Sequence, residues 1–159
     1  MSDLVIRAQF GHRYMAALRA LRLQHWFGLR EKWDDLPLWE RLVLIHPDWL
    51  RDAGMPSSTI EGIQGPRAFP GDRPTGTCAS RRSWGYDCPI EGRLEADHLW
   101  PYALGGPTRP GNTLALCRDH NSLKGVDIHA FPWDEDPAPT GLWLDRQVSL
   151  IAYALGERE

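Results

Sequence analysis

GTCASRRSWGYDCPIEGRLEADHLWPYALGGPTRPGNTLALCRDHNSLKG, residues 76 to 125, contains all three cysteines of the chain and most of its metal-capable chemistry. Cys78, Cys88, Cys117 and His120 are sulfur and imidazole ligands of the kind that close a structural zinc (Zn2+) site. Threaded through them are Asp97, His98, Asn112 and Asn121. A carboxylate and an amide oxygen beside a free imidazole suit a different ion, a hard catalytic cation such as magnesium (Mg2+) or manganese (Mn2+). Cys117 and His120 are three residues apart, so a helix there turns both to one side. Cys78 and Cys88 flank a nine-residue loop, longer than the usual zinc knuckle. Three ordinary buried thiols are the bland alternative, but an odd number of cysteines, all within one segment, favours metal ligation in a reducing compartment.

Working outward, 159 residues make one domain of ordinary size, or a small one with a helical appendage. The net charge of -3 argues mildly against a pure nucleic-acid-binding module. Its distribution matters more: residues 76–126 carry six basic and five acidic side chains, whereas 127–159 carry two basic and seven acidic. This distribution leaves room for a neutral to weakly basic face over the motif. No apolar run is long enough to span a bilayer and no signal segment opens the chain, so the sequence reads as cytoplasmic, with no membrane partner.

Apolar residues at helical spacing predict a helix within 4–27 (Phe10, Tyr14, Leu18, Leu21, Trp26). A second starts near Asp35 and Pro37, with Leu38, Leu42, Ile45 and Trp49 on one stripe. Pro47 should break or kink it, and Gly54 with Pro56 should end it. Residues 64–76 are rich in Gly and Pro, a linker or ordered irregular connection, and the domain boundary is set there. Two short extended runs are expected near 77–80 and 93–99. A helix from Asn112 or Thr113 to about Lys124 follows them, and a last amphipathic helix spans 141–156 with Leu144, Val148, Ile151 and Leu155 on one face. The resulting division is a helical region over 1–75, a strand, strand, helix core over 76–126, and an irregular acidic segment plus helix over 127–159. The expected fold class is α+β.

Hydrolysis of a phosphodiester needs an attacking water, a base to deprotonate it, and positive charge at the developing phosphorane. His98 is the natural base, because a neutral imidazole is available near pH 7. Asp97 and Asn121 would supply oxygen ligands to the hard cation. Asn112 would hold the segment after His98 through side-chain hydrogen bonds to backbone groups.

DHLWPYALGGPTRPGNTLALCRDHNSLKG resembles the HNH endonucleases, the ββα-metal nucleases, whose motif is a histidine on a strand, an asparagine in a loop and a histidine or asparagine on the following helix. From His98 to Asn112 is 14 residues, and from Asn112 to Asn121 is 9. This registers Asn121 rather than His120 with the third motif position, an HNN variant. The resemblance implies a ββα-metal nuclease unit in which Asp97 and Asn121 hold the catalytic metal, His98 activates water and Asn112 orients its loop. His120 is then left to the zinc. It covers about 50 of the 159 residues.

The expected function is metal-dependent DNA endonuclease activity, of restriction, phage or mobile-element type, on double-stranded DNA. Arg81, Arg82, Arg93, Arg109, Arg118 and Lys124 are candidate phosphate contacts. One site cuts one strand, so cutting both needs a homodimer or two successive nicks. The alternatives are a non-catalytic zinc-stapled nucleic-acid-binding module, and the same chemistry directed at RNA or used as a toxin effector. The eight tryptophans are assigned to packing, with base stacking by Trp84 or Trp100 a minority reading.

Overall fold

The computed structural model describes residues 35–36, 38–128, 131 and 138–156, so the helix expected within 4–27 lies outside the described residues. Among the described residues three short helices come first: α1 (Leu38–Val43), α2 (Pro47–Asp52) and α3 (Ser57–Gln64). Pro47 divides the single predicted helix in two. A proline is at home in the first turn, where its missing N–H costs nothing, and the His46 ring caps α2 by accepting from Asp48 N at 3.1 Å. The sequence gives α3 no start signal, because Ser57-Ser58-Thr59 are indifferent helix formers. Tertiary packing overrides that propensity: Ile60 and Gln64 are buried, and α3 lies against the C-terminal helix.

Two small antiparallel sheets follow. β1 (Thr75–Thr77) pairs with β2 (Glu91–Arg93), and β3 (Glu95–His98) pairs with β4 (Thr113–Leu116). Between β1 and β2 sits α4 (Ser80–Trp84), closed by Gly85 in the left-handed region at φ 77°. The extended run expected over 77–80 is thus a strand ending at Thr77, followed by a helix. The run expected over 93–99 is split: Arg93 faces Thr75 in the first sheet, and Glu95 begins the second opposite Leu116.

The predicted helix from residue 112 or 113 to 124 is also divided. Leu114 and Leu116 are buried while Thr113 is exposed, the two-residue period of a strand. Pairing with β3 fixes residues 113–116 as β4. Cys117, extended at φ -65° and ψ 161°, then starts α5 (Arg118–Lys124). A hairpin of β3 and β4 with α5 packed on both strands is the result. The strand, strand, helix order was expected, but β4 rather than 77–80 supplies one of the strands.

The last helix, α6 (Ala138–Ala154), starts three residues earlier than the sequence suggested and buries Leu144, Val148 and Ile151. These join Leu42 and Trp49 from the first two helices, Ile45 from the turn between them, and Leu94, Leu114 and Leu116 from the strand region, in one core. The chain is therefore mixed helix and sheet. Among the described residues no helix is long and apolar enough to cross a membrane.

The Gly- and Pro-rich stretch after α3 is tied to the loop between β3 and β4. Thr108 N donates to Gln64 O at 2.9 Å, and the buried Gln64 amide donates to Tyr102 O at 2.5 Å and Gly106 O at 3.1 Å. Gly105 and Gly106 make that approach fit: a Cβ on the first would lie 2.1 Å from Ile45 O, and on the second 1.8 Å from Trp100 O. Only glycine is tolerated at such separations.

Candidate metal centre and motif site

Cys78 follows β1, Cys88 precedes β2, Cys117 caps α5 and His120 lies in its first turn, so three separate segments of chain deliver one cluster. Their ligand atoms all lie within 4.8 Å of one another. Cys78 Sγ and Cys117 Sγ are 3.4 Å and 3.3 Å from His120 Nδ1, and Cys88 Sγ is 4.0 Å from Cys117 Sγ. Tetrahedral zinc, with Zn–S near 2.3 Å and Zn–N near 2.0 Å, requires ligand atoms about 3.5 to 3.8 Å apart. The donor set fits and the separations lie within a few tenths of an ångström of that range for three of the pairs, so this Cys78, Cys88, Cys117 and His120 group could hold a metal ion such as zinc. The other ring nitrogen, His120 Nε2, lies 2.9 Å from Tyr86 Oη, and the ring stacks on Trp84 at 4.8 Å between centroids. Metal-binding histidines are commonly oriented by such an outer partner. Trp84 thus packs on the cluster, and Trp100 is fully buried, which removes it as a base-stacking platform.

The loop after β3 is held by Asn112, which is completely buried. Its Oδ1 accepts from Trp100 N at 2.7 Å, and its Nδ2 donates to Trp100 O at 3.1 Å and Pro107 O at 2.9 Å. Both ends of the loop are thereby tied to one amide. His98 closes β3, buried under Phe69 and Tyr102, whose rings lie 4.5 Å and 5.2 Å from its own. Its Nε2 is 2.7 Å from Thr108 Oγ1. Burial lowers the His98 pKa from 6.5 to about 4; Lys124 and Arg67 push the same way, against Asp97. The imidazole is therefore neutral at pH 7.

The Asp97 carboxylate meets α5. There Lys124 Nζ lies 2.8 Å from Asp97 Oδ2 and donates to His98 O at 2.9 Å. Asn121 donates its Nδ2 to Glu95 Oε2 at 2.7 Å, which leaves the amide oxygen as its donor to a cation. The adjacent pair His120 and Asn121 is divided between two environments, the first in the cysteine cluster and the second facing β3.

The basic candidates are scattered. Arg81 is fully exposed and pairs with Asp87 through bonds of 2.7 and 2.8 Å. The side chain of Arg82 is outside the description, and Arg93 and Arg118 are exposed. Arg109 is half-buried and donates to Ile63 O at 3.2 Å, its pKa lowered by burial and by Arg146. Lys124 is buried and committed to Asp97 and His98, which corrects its expected role as a phosphate contact. Four residues near the site escaped the sequence reading. Thr108, Phe69 and Arg67 come from irregular chain with no periodic signal, whereas Glu95, two residues before Asp97 on one strand, could have been found from strand alternation. Arg67 lies over the Tyr102 ring at 5.9 Å.

No family profile, no curated protein and no solved structure matches this chain.

Proposed function

We propose that the chain is a metal-dependent DNA endonuclease of the HNH type, in its HNN form. One observation carries the reading: His98 ends a strand whose following loop is tied at both ends by Asn112, with Asn121 on the helix that packs against that strand. The order of residues quoted above acquires a spatial arrangement in which each has a distinct job. Neutral His98 accepts the proton of an attacking water. Asn112 keeps the loop from shifting that imidazole. The oxygen donors available on β3 and α5, the Asp97 carboxylate and Asn121 Oδ1, are hard and few, which fits magnesium with open positions. When bound, the ion supplies positive charge to the phosphate oxygens. Lys124 holds Asp97 against α5 and already shares its charge. On this reading the cysteine cluster holds a structural zinc and takes no part in the reaction.

A second reading keeps the zinc-stapled unit but removes the catalysis, and the cover of Phe69 and Tyr102 over His98 favours it. Digestion of supercoiled plasmid with added magnesium or manganese separates the two. The nuclease reading expects nicked or linear product from wild type and at least about a hundredfold less from His98→Ala, the usual contribution of a general base. Retention of intact plasmid by both proteins would refute it, and a parallel RNA substrate decides the nucleic acid.

A further inference from the structure

Thr108 stands between His98 and a carbonyl, and its single hydroxyl proton can serve only one of them. Its Oγ1 donates to Pro66 O. A carbonyl oxygen accepts and never donates, so the proton is committed there. Toward His98 the same oxygen has only lone pairs to offer, and the 2.7 Å contact therefore requires a proton on His98 Nε2. A neutral imidazole carries one proton. We infer that a relay running from His98 Nε2–H through the Thr108 hydroxyl to the Pro66 carbonyl fixes the His98 tautomer and leaves Nδ1 as its proton-accepting atom. Thr108 is a positioning residue, acting on water only through His98.

The far end of the relay is anchored. Thr108 N donates to Gln64 O at 2.9 Å, and Tyr102 Oη donates to Gly65 O at 2.8 Å, so the Pro66 carbonyl belongs to a segment bonded on both sides of the loop. Phe69 from the same stretch packs on the His98 ring at 4.5 Å and limits its rotation. Residues preceding the motif thus set the proton inventory of the motif histidine. The chemical consequence for a nuclease rests on the function proposed above, but the tautomer itself does not.

Two measurements on the full, metal-loaded chain test it. Nitrogen NMR of histidine-labelled protein distinguishes protonated from bare ring nitrogens, and His98→Gln assigns the signal. Wild type should give a protonated Nε2 and a bare Nδ1. Thr108→Val should give averaged signals from both tautomers, and Thr108→Ser should restore the wild-type pattern. In plasmid cleavage, Thr108→Val should lower kcat about tenfold with little change in KM, a fraction of the general-base contribution, again with rescue by serine. A protonated Nδ1 in wild type, or an unchanged pattern in Thr108→Val, would overturn the relay. A Thr108-dependent tautomer in a protein that cuts no nucleic acid upholds the relay and removes the nuclease reading instead.

Discussion

Acid should destabilise this fold in part through His98, and that share of the loss can be worked out in advance. The imidazole has a pKa of about 4 in the folded chain against 6.5 for the free side chain, the main cause being burial under Phe69 and Tyr102. The folded state therefore binds the proton less well than the unfolded state. Stability from the neutral imidazole is complete above pH 6.5, falls as pH drops below it, and is exhausted near pH 4. The gap of about 2.5 units, from 6.5 to about 4, is worth about 3 kcal/mol in full. By about pH 5 roughly 2 kcal/mol of it should be gone. Urea unfolding of wild type and His98→Gln, metal-loaded and without added magnesium, isolates the term. Carboxylates and metal ligands titrate alike in both, so their contributions cancel in the difference. Between about pH 7 and about pH 5 wild type should lose roughly 2 kcal/mol more than His98→Gln. A difference that stays constant across that range would refute the claim that His98 is held neutral by burial.

Other perturbations have equally definite outcomes. His120→Ala should release the bound metal and unfold the first turn of α5, read by zinc release and circular dichroism, whereas Asn121→Ala should keep both and lose plasmid cleavage. Asn112→Ala strands Trp100 N, Trp100 O and Pro107 O in a buried loop and should cost about 3 kcal/mol in urea unfolding, at roughly 1 kcal/mol per lost bond. Gly106→Ala should yield little soluble protein, or a melting temperature lower by 10 °C or more at about 4 kcal/mol of strain, because its Cβ would sit 1.8 Å from Trp100 O.

Spacing made the cysteine cluster legible, since three thiols and one histidine within a short span have few other reasons to coincide. It also divided His120 from Asn121, and their surroundings differ accordingly. The apolar face of α6 was equally readable, with Leu144, Val148 and Ile151 buried as its periodicity required. The boundary between strand and helix at Cys117 was not. Thr113 to Leu116 is apolar enough to continue a helix, and only pairing with Glu95 to His98 makes it a strand. Long-range pairing of this kind leaves no local trace. Nor does the Pro66 carbonyl, whose importance comes from where the chain passes, since every residue carries the same group. Lys124 misled for a related reason: a lysine beside a motif looks like a phosphate contact until its ammonium is found inside, bonded to Asp97 and to His98 O.

Cys117 has two duties whose coupling reaches beyond stability. Its sulfur accepts from His120 N at 3.5 Å, starting α5, and the same sulfur belongs to the metal cluster. Thiolate formation on metal binding strengthens that cap, because a charged acceptor bonds more strongly than a neutral one. Seven residues make too short a helix to persist alone, so a metal held by this cluster would join the packing on β3 and β4 in keeping Asn121 and Lys124 opposite β3. On the nuclease reading two ions would then load in sequence, the closed centre before the open one. On the nuclease reading this is a safeguard written into the order of assembly: a chain made where zinc is scarce would have no working site, and would become capable of damage to nucleic acid only after a different metal had approved its shape.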